Sequence, residues 1–408
     1  MGRRAWSRRD LLKSAGTGAL GLGVAVSVYQ WLDQYIVGTT STDGAVAAAS
    51  VSDSETGRID LTEHTSIKLV RGIFSRDRRE SLLAREDVAF VQPDHPLTHV
   101  SAQTETGEPA DQTLPWGIDR IDADVAHAEG QTGEGVDVGV IDHGIDGSHP
   151  DLEMNLADPN AEGTHESWVD CRGCDHPWSD DRGHGTHVAG TIAAEDSNGG
   201  VVGVAPDATV HALKVCGGAG GCRSSAIVEA IRHAADQGWD VINLSLGSPR
   251  ESPALQAAGQ YALEAGVFPV AAAGNLGRPN SVGYPAAYDE FLAVSATDID
   301  DTIAGFSSTG PEVDIAAPGA DVCSADVDGY AVHSGTSMAS PHVAGAAATL
   351  LADGYSPSEA RERLLETAED LGASDTEQGA GLVDVAAALG YDSGDDGPIS
   401  RPGCPSGL

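Results

Sequence analysis

The sequence predicts an α/β fold: three layers, with a mainly parallel central sheet and helices on both faces, preceded by a small α+β segment. Two observations lead there. Between residues 136 and 296, short runs of Val, Ile, Leu and Ala alternate with longer segments of helical period. Parallel strands joined by helical crossovers produce that alternation. The 408 residues also suffice for one large core with small attachments, because a core of that size buries about three quarters of the surface its unfolded chain exposes.

The segments follow in order. Residues 1–32 carry Arg3, Arg4, Arg8 and Arg9 ahead of an apolar, glycine-rich run over 15–29. That run is too short and too poor in large side chains for a membrane span, and residues 7–13 resemble a twin-arginine export signal. Residues 34–105 read as a small α+β domain, with 34–38 its first strand, 87–94 its last, and a divergent Ala-, Ser- and Thr-rich stretch over 39–54 between them. The polar stretch 101–110 has no core-forming pattern and reads as cleavable. Residues 111–390 form the main domain. Its candidate strands are 136–141, 209–215, 241–244, 267–272 and 291–296; its candidate helices are 184–194, 224–237, 253–265, 337–351, 358–367 and 382–389. Residues 391–408 are a Gly/Pro-rich tail.

The charge is strongly asymmetric. Net charge is −39, and all of it lies beyond residue 100. Lysine occurs only at Lys13, Lys68 and Lys214. So negative a surface excludes nucleic acid as a partner. It would self-repel at low ionic strength and is tolerable where salt screens charge to within about 3 Å. In this it resembles proteins of salt-loving archaea.

The chemistry centres on Gly335-Thr336-Ser337-Met338-Ala339-Ser340-Pro341-His342. A glycine turn presents Ser337 at the start of an apolar helix, among unpaired N–H groups suited to a developing oxyanion. Pro341 is expected in the first helical turn, where its missing N–H costs little. A serine nucleophile needs a base, and the base needs an orienting carboxylate. His184, in Gly183-His184-Gly185-Thr186-His187, and Asp142, at the end of an apolar strand, supply both. The alternative for Ser337 alone is a helix cap.

These three motifs, in the order Asp, His, Ser, resemble the subtilisin-like serine proteases (the subtilase family) over roughly residues 112–390. With the acidic composition, the resemblance extends to the extracellular, halolysin-like subtilases of halophilic archaea. It implies a secreted, monomeric serine endopeptidase acting on proteins and peptides through an acyl-enzyme. It assigns Asn275 to the oxyanion hole beside the Ser337 N–H. Ser245, Leu246 and Gly247 form one substrate-pairing edge, and the loop 217–221, including Gly220, forms the other. Gly283 becomes the floor of a pocket open to large apolar side chains. Residues 34–105 would then be an inhibitory pro-segment, the chain's own intramolecular partner, and 1–32 would engage the twin-arginine export machinery. His143 departs from the small hydroxyl residue usual after the aspartate.

Calcium is the cofactor the resemblance implies. Gln112, Asp151, Glu195, Ser197, Gly199 and Val201 match its oxygen ligands, with Ser197 standing where Asn is usual; Glu312 and Asp314 match a second, weaker site. The six cysteines permit disulfides in an exported chain, Cys216–Cys222, Cys171–Cys174 and Cys323–Cys404 being the pairings considered, though spacing does not fix them. Cys171-x-x-Cys174 with His184-x-x-His187 also has a zinc-like spacing, one that would consume the base. A non-catalytic peptide-binding module of the same fold is the alternative function.

Overall fold

The computed structural model describes residues 34–98, 112–392 and 404, apart from 172, 173, 198, 218–220 and 328. The export segment, the stretch 101–110, Gly220 and all of the tail beyond 392 except Cys404 lie outside the described residues. Two compact units emerge, one ending at Asp94 and the other running from His95 onward with residues 63–65.

The smaller unit is a four-stranded antiparallel sheet in the order β2-β3-β1-β4, built from β1 (Gln34–Thr39), β2 (Ser54–Asp60), β3 (Lys68–Ile73) and β4 (Val88–Pro93). Helices α1 (Thr42–Val51) and α2 (Arg76–Leu83) complete it. The stretch 39–54, read from sequence only as divergent, is mostly helix. Alanine is the best helix former, and the Ser41 hydroxyl accepts the Gly44 N–H at 2.8 Å, capping the first turn. Ala45 and Ala48 then pack with Val37, Val70, Phe74 and Leu82.

In the larger unit, β5 (Pro96–Leu97), α3 (Trp116–Arg120) and α4 (Ala123–Ala128) precede the main sheet. Seven parallel strands follow, in the order β13-β12-β11-β10-β6-β8-β7. They are β6 (Asp137–Asp142), β7 (Glu166–Ser167), β8 (Thr209–Lys214), β10 (Val241–Leu244), β11 (Phe268–Ala272), β12 (Leu292–Thr297) and β13 (Ile315–Pro318). Short β9 (Cys222–Arg223) pairs with β5, and β14 (Val322–Asp326) forms a hairpin with β15 (Gly329–His333). The five strands expected from sequence make the interior of the sheet. β7, unrecognised because it has only two residues, and β13, which ends on Pro318, extend its two edges.

The helices flank this sheet: α5 (His184–Ala193), α6 (Ser224–Gln237), α7 (Pro253–Glu264), α8 (Thr336–Ala352), α9 (Pro357–Glu366), α10 (Asp375–Gln378) and α11 (Val385–Leu389). α8 packs on α5 and against β10 to β13, while α6 and α7 pack on each other. The helix expected from 382 begins only at Val385. Leu382 instead exchanges two 2.8 Å backbone bonds with Glu369, and the Asp384 carboxylate caps α11 by accepting the Ala387 N–H. No described helix is long and apolar enough to cross a membrane.

Gly345 lets α8 approach the loop before β8. A Cβ there would lie 2.5 Å from the Val204 Cβ. Gly345→Leu should therefore overpack the core and destabilise the protein by about 1–3 kcal/mol, read as a Tm lower by roughly 2–9 °C in calorimetry; an unchanged Tm would contradict this packing.

Candidate active site

β11, β10 and β6 are neighbours and run parallel, so their C-terminal ends open on one edge of the sheet, where clefts form in open α/β folds. Asp142 is the last residue of β6, Ser245 follows β10, and Asn275 follows β11. α5 begins with His184, α8 carries Ser337 as its second residue, and the two helices pack together.

Asp142 and His184 are buried, 1% and 2% exposed. His184 Nδ1 lies 2.8 Å from Asp142 Oδ1. An ionised carboxylate only accepts, so this nitrogen carries the proton and donates. Burial alone would favour neutral Asp142, but the charge of His184 and hydrogen bonds from His143 and His184 hold it far below the ordinary carboxylate range. Burial likewise opposes the His184 imidazolium, yet the Asp142 charge and hydrogen bond outweigh it and raise the ring above its usual 6.5. Gly183 sets the entry to α5. Its φ is +85°, and a Cβ would fall 2.1 Å from Asp326 Oδ1, so a side chain there would displace the histidine.

Ser337 sits deeper in helical geometry than the sequence suggested. α8 starts at Thr336, which makes Pro341 its sixth residue, past the first turn. The proline has no N–H for the carbonyl four residues back, that of Ser337. The Ser245 hydroxyl fills the gap, donating to the Ser337 carbonyl at 2.8 Å. In return the Ser337 hydroxyl donates to the Ser245 carbonyl at 3.0 Å. The Asn243 amide holds the Ser245 hydroxyl from the other side at 2.9 Å. The orientation of Asn275 is fixed by Thr336, whose N–H and hydroxyl donate to Asn275 Oδ1 at 2.9 and 3.0 Å. The Asn275 NH₂ is thereby turned the other way, and Asn275 and Ser337 line one pocket with Leu246, Gly247, Gly283 and Thr98. Sequence reasoning gave Thr336 no role, although it lies inside the serine motif.

The expected edge at Gly247 and a second edge at Cys222–Ser224, just beyond the expected loop 217–221, are engaged by the chain itself. Thr98 and Gly247 exchange two 3.1 Å backbone bonds, and the Ser224 N–H donates to the His95 carbonyl at 3.0 Å. Pro96 and Leu97 pair antiparallel with Arg223 and Cys222. Residues 95–98 thus form a middle strand between the two edges. Gly220, in that expected loop, lies outside the described residues.

Around Asp151 the contacts are hydrogen bonds. Its Oδ2 accepts the Val201 N–H and its Oδ1 the Tyr330 hydroxyl, both at 2.8 Å. The Gln112 amide reaches the Glu195 carbonyl at 3.5 Å. The Ser197 hydroxyl donates to the Gly199 carbonyl at 3.0 Å, which makes it the least free of the expected ligands. Asp314 is bound by Arg361, so a cation beside it would meet a fixed positive charge. Disulfides join Cys171–Cys174, Cys216–Cys222 and Cys323–Cys404. The first removes the zinc-like set, and His187 Nε2 faces the Val322 and Ala331 carbonyls instead.

Comparison with known proteins agrees with this geometry. The Subtilase family matches residues 133–381. Subtilisin E of Bacillus subtilis is 40% identical over 363 residues, which is 87% of this chain and 90% of that protein. Subtilisin DY of Bacillus licheniformis is 46% identical over 283 residues, 68% of this chain and 99% of that protein. An alkaline protease of Alkalihalobacillus alcalophilus is 42% identical over 309 residues, 75% and 77% of the two chains.

Ser245→Ala should leave the Ser337 carbonyl buried without its donor. The expected cost is about 1–3 kcal/mol, measured as a lower denaturant midpoint at unchanged slope; wild-type stability would mean that the hydroxyl is dispensable.

Proposed function

The chain belongs to the subtilase family and is a serine endopeptidase, and from that premise we propose how its residues divide the work. Ser337 is the nucleophile. On substrate binding its hydroxyl leaves the Ser245 carbonyl and turns to His184, whose Nε2 takes the proton as Oγ attacks the peptide carbonyl. Asp142 holds the ring by Nδ1 and stabilises the imidazolium. The Ser337 N–H, at the positive end of α8, and the Asn275 amide receive the oxyanion. His184 then protonates the leaving amine, and water repeats the sequence on the acyl-enzyme. Activity rises with pH as the raised imidazole loses its proton. The single observation that carries this reading is the buried 2.8 Å Asp142–His184 bond at the strand edge where Ser337 and Asn275 share a pocket.

Recognition runs through backbone. An extended peptide would replace residues 95–98, pairing with the Ser245–Gly247 edge and with Cys222–Arg223 beside the loop 217–221. Glycine at 283 keeps the pocket open, which favours large apolar residues before the scissile bond and broad specificity otherwise. Residues 34–105 act as the inhibitory pro-segment, cut within 101–110. Residues 1–32 direct export of the folded chain by the twin-arginine route, and the product works outside the cell as a monomer. N-terminal sequencing of the secreted form tests the cut within 101–110.

Calcium fits the Asp151 cluster by donor chemistry. The carboxylate and the carbonyls of Glu195, Gly199 and Val201 are hard oxygens, and each Asp151 oxygen retains a second lone pair beyond its one hydrogen bond. The ion would tie the loop 195–201 to the core. Salt adaptation rests on charge: of the described lysines, Lys214 is fully buried and Lys68 lies within the charge-neutral first 100 residues, so neither offsets the acidic surface of 111–390.

Ser337→Ala should abolish both fluorophosphonate labelling and peptide hydrolysis. Asn275→Ala should lower kcat by about 10²–10³-fold, the magnitude found for one such donor in subtilisin. A folded, processed wild type that takes no label would favour the peptide-binding alternative. Thermal scans supply a second check. Saturation to about a hundred times Kd is worth about 2.7 kcal/mol, so chelator should lower Tm, and Asp151→Asn should remove the difference. Low salt should lower Tm further than molar salt; a Tm indifferent to chelator or to salt discards the corresponding proposal.

A further inference from the structure

Asp142 Oδ1 accepts from two imidazoles. His184 Nδ1 lies 2.8 Å away and His143 Nδ1 2.9 Å away, while the His143 backbone N–H donates to the same oxygen at 2.7 Å. Both rings are buried, 2% and 5% exposed, with centroids 5.9 Å apart and planes at 69°. A small hydroxyl side chain at 143 could donate to Asp142 but could not titrate. A histidine does both.

We propose that His143 is a positioning residue that shares the protons of the catalytic pair, making the base of this protease a coupled His–Asp–His system rather than a single imidazole. The inference rests on the triad reading given above. It follows from the oxygen the two rings share. Neutral His143 donates from Nδ1 to Asp142, as His184 does. A proton added to the pair can sit on either ring, since each rests against the same carboxylate. When it sits on His143, His184 keeps a neutral Nε2 and can still act as the base. A second proton must then join a like charge 5.9 Å away. At an effective dielectric near 20, that repulsion weakens its binding by roughly a hundredfold.

The other charges facing His143 do not cancel the effect. Asp180, buried at 9% exposure, acts on His143 through space, but its carboxylate is held by the Thr186 N–H and hydroxyl and the Arg182 N–H. Lys214, from β8, is fully buried, and its ammonium donates to the His143 carbonyl at 2.5 Å, to the Ser179 carbonyl at 2.8 Å and to Asp181 at 3.1 Å. Asp180 acts on both rings and Asp326 on His184, while Lys214 sits against the His143 carbonyl. None of them touches Oδ1, so they bias which ring holds the first proton without separating the rings from their common acceptor.

Coupled sites titrate in two macroscopic steps that belong to the pair. The acid limb of kcat/KM should therefore show a shoulder, with partial activity while one proton is shared and loss only when the second binds. His143→Asn keeps a donor near the Nδ1 position but cannot titrate, and His143→Ser supplies a hydroxyl. In both, the limb should collapse to a single ionisation and its midpoint should move to higher pH by about one unit or more, as expected from the hundredfold coupling. The measurement is kcat/KM against pH on a chromogenic peptide, with mature wild type and both variants each normalised to its own alkaline plateau. Tm is recorded for each, so that a misfolded variant is replaced by the other. A wild-type limb that fits one ionisation, or superimposes on those of the folded variants, overturns the proposal and leaves the triad standing. A wild type without Ser337-dependent activity overturns the triad itself.

Discussion

Pro341 removes one N–H from the middle of a buried helix, and much of the site is arranged around what replaces it. The carbonyl left without its helical partner belongs to Ser337, and the replacement donor is the hydroxyl of Ser245. Ser245 is also the first residue of the proposed peptide-pairing edge. One hydrogen bond therefore joins the proposed nucleophile to the proposed recognition edge, and the reciprocal bond from the Ser337 hydroxyl doubles it. A peptide aligned on Gly247 is aligned on Ser337 with no flexible segment between them. That is the fixed geometry on which proximity effects depend.

The second constraint is a buried negative charge. An isolated carboxylate as buried as Asp142 would be driven to neutrality. It stays ionised because three N–H groups converge on one of its oxygens, two of them from imidazoles. Lys214 lies one layer beneath, bound to the carbonyl of the next residue. In a chain with so few lysines, burying one here indicates that the interior around β6 and β8 needs a fixed cation more than the surface does. The site's electrostatics thus reach from Ser337 through His184 and Asp142 to His143 and the second layer of the fold.

The sheet was legible because its strands are apolar on both faces, and buried parallel strands read as continuous runs rather than alternations. The motifs around Asp142, His184 and Ser337 were legible because short, glycine-bounded turns leave few other uses for such side chains. Other features were hidden for physical reasons. Thr336 orients Asn275 across 61 positions of sequence, and no local pattern encodes a contact made at that distance. The displacement of Pro341 into the helix depends on where the first turn begins, and the extended Gly335 sets that start two residues earlier than a Ser337 cap would. The edge strand β7 was too short to stand out, and β13 ends on Pro318. The helix over 42–51 was concealed because Ala and Ser occur as readily in linkers as in helices until a capping residue and an apolar partner sheet are seen together.

The strand 95–98 raises the question of how a protease can be held by the geometry it uses to bind substrate. Its described contacts to the two edges are main-chain bonds, and each contributes a net of about 0.5–1.5 kcal/mol. Against the cost of association, estimated at about 4–15 kcal/mol or more, so few bonds would not retain a free tetrapeptide. As part of the same chain the strand pays little of that cost, because covalent continuity keeps its effective concentration in the millimolar range. Continuity, more than complementarity, keeps it in place. Cutting the chain beyond Thr98 would leave every one of those hydrogen bonds chemically intact and still convert an intramolecular strand into one that other peptides can displace. Backbone recognition makes that exchange possible, since any extended segment offers the same donors and acceptors. The price of such generality is that selectivity must come from elsewhere, and in the proposed reading it comes from the pocket that Gly283 and Leu246 line.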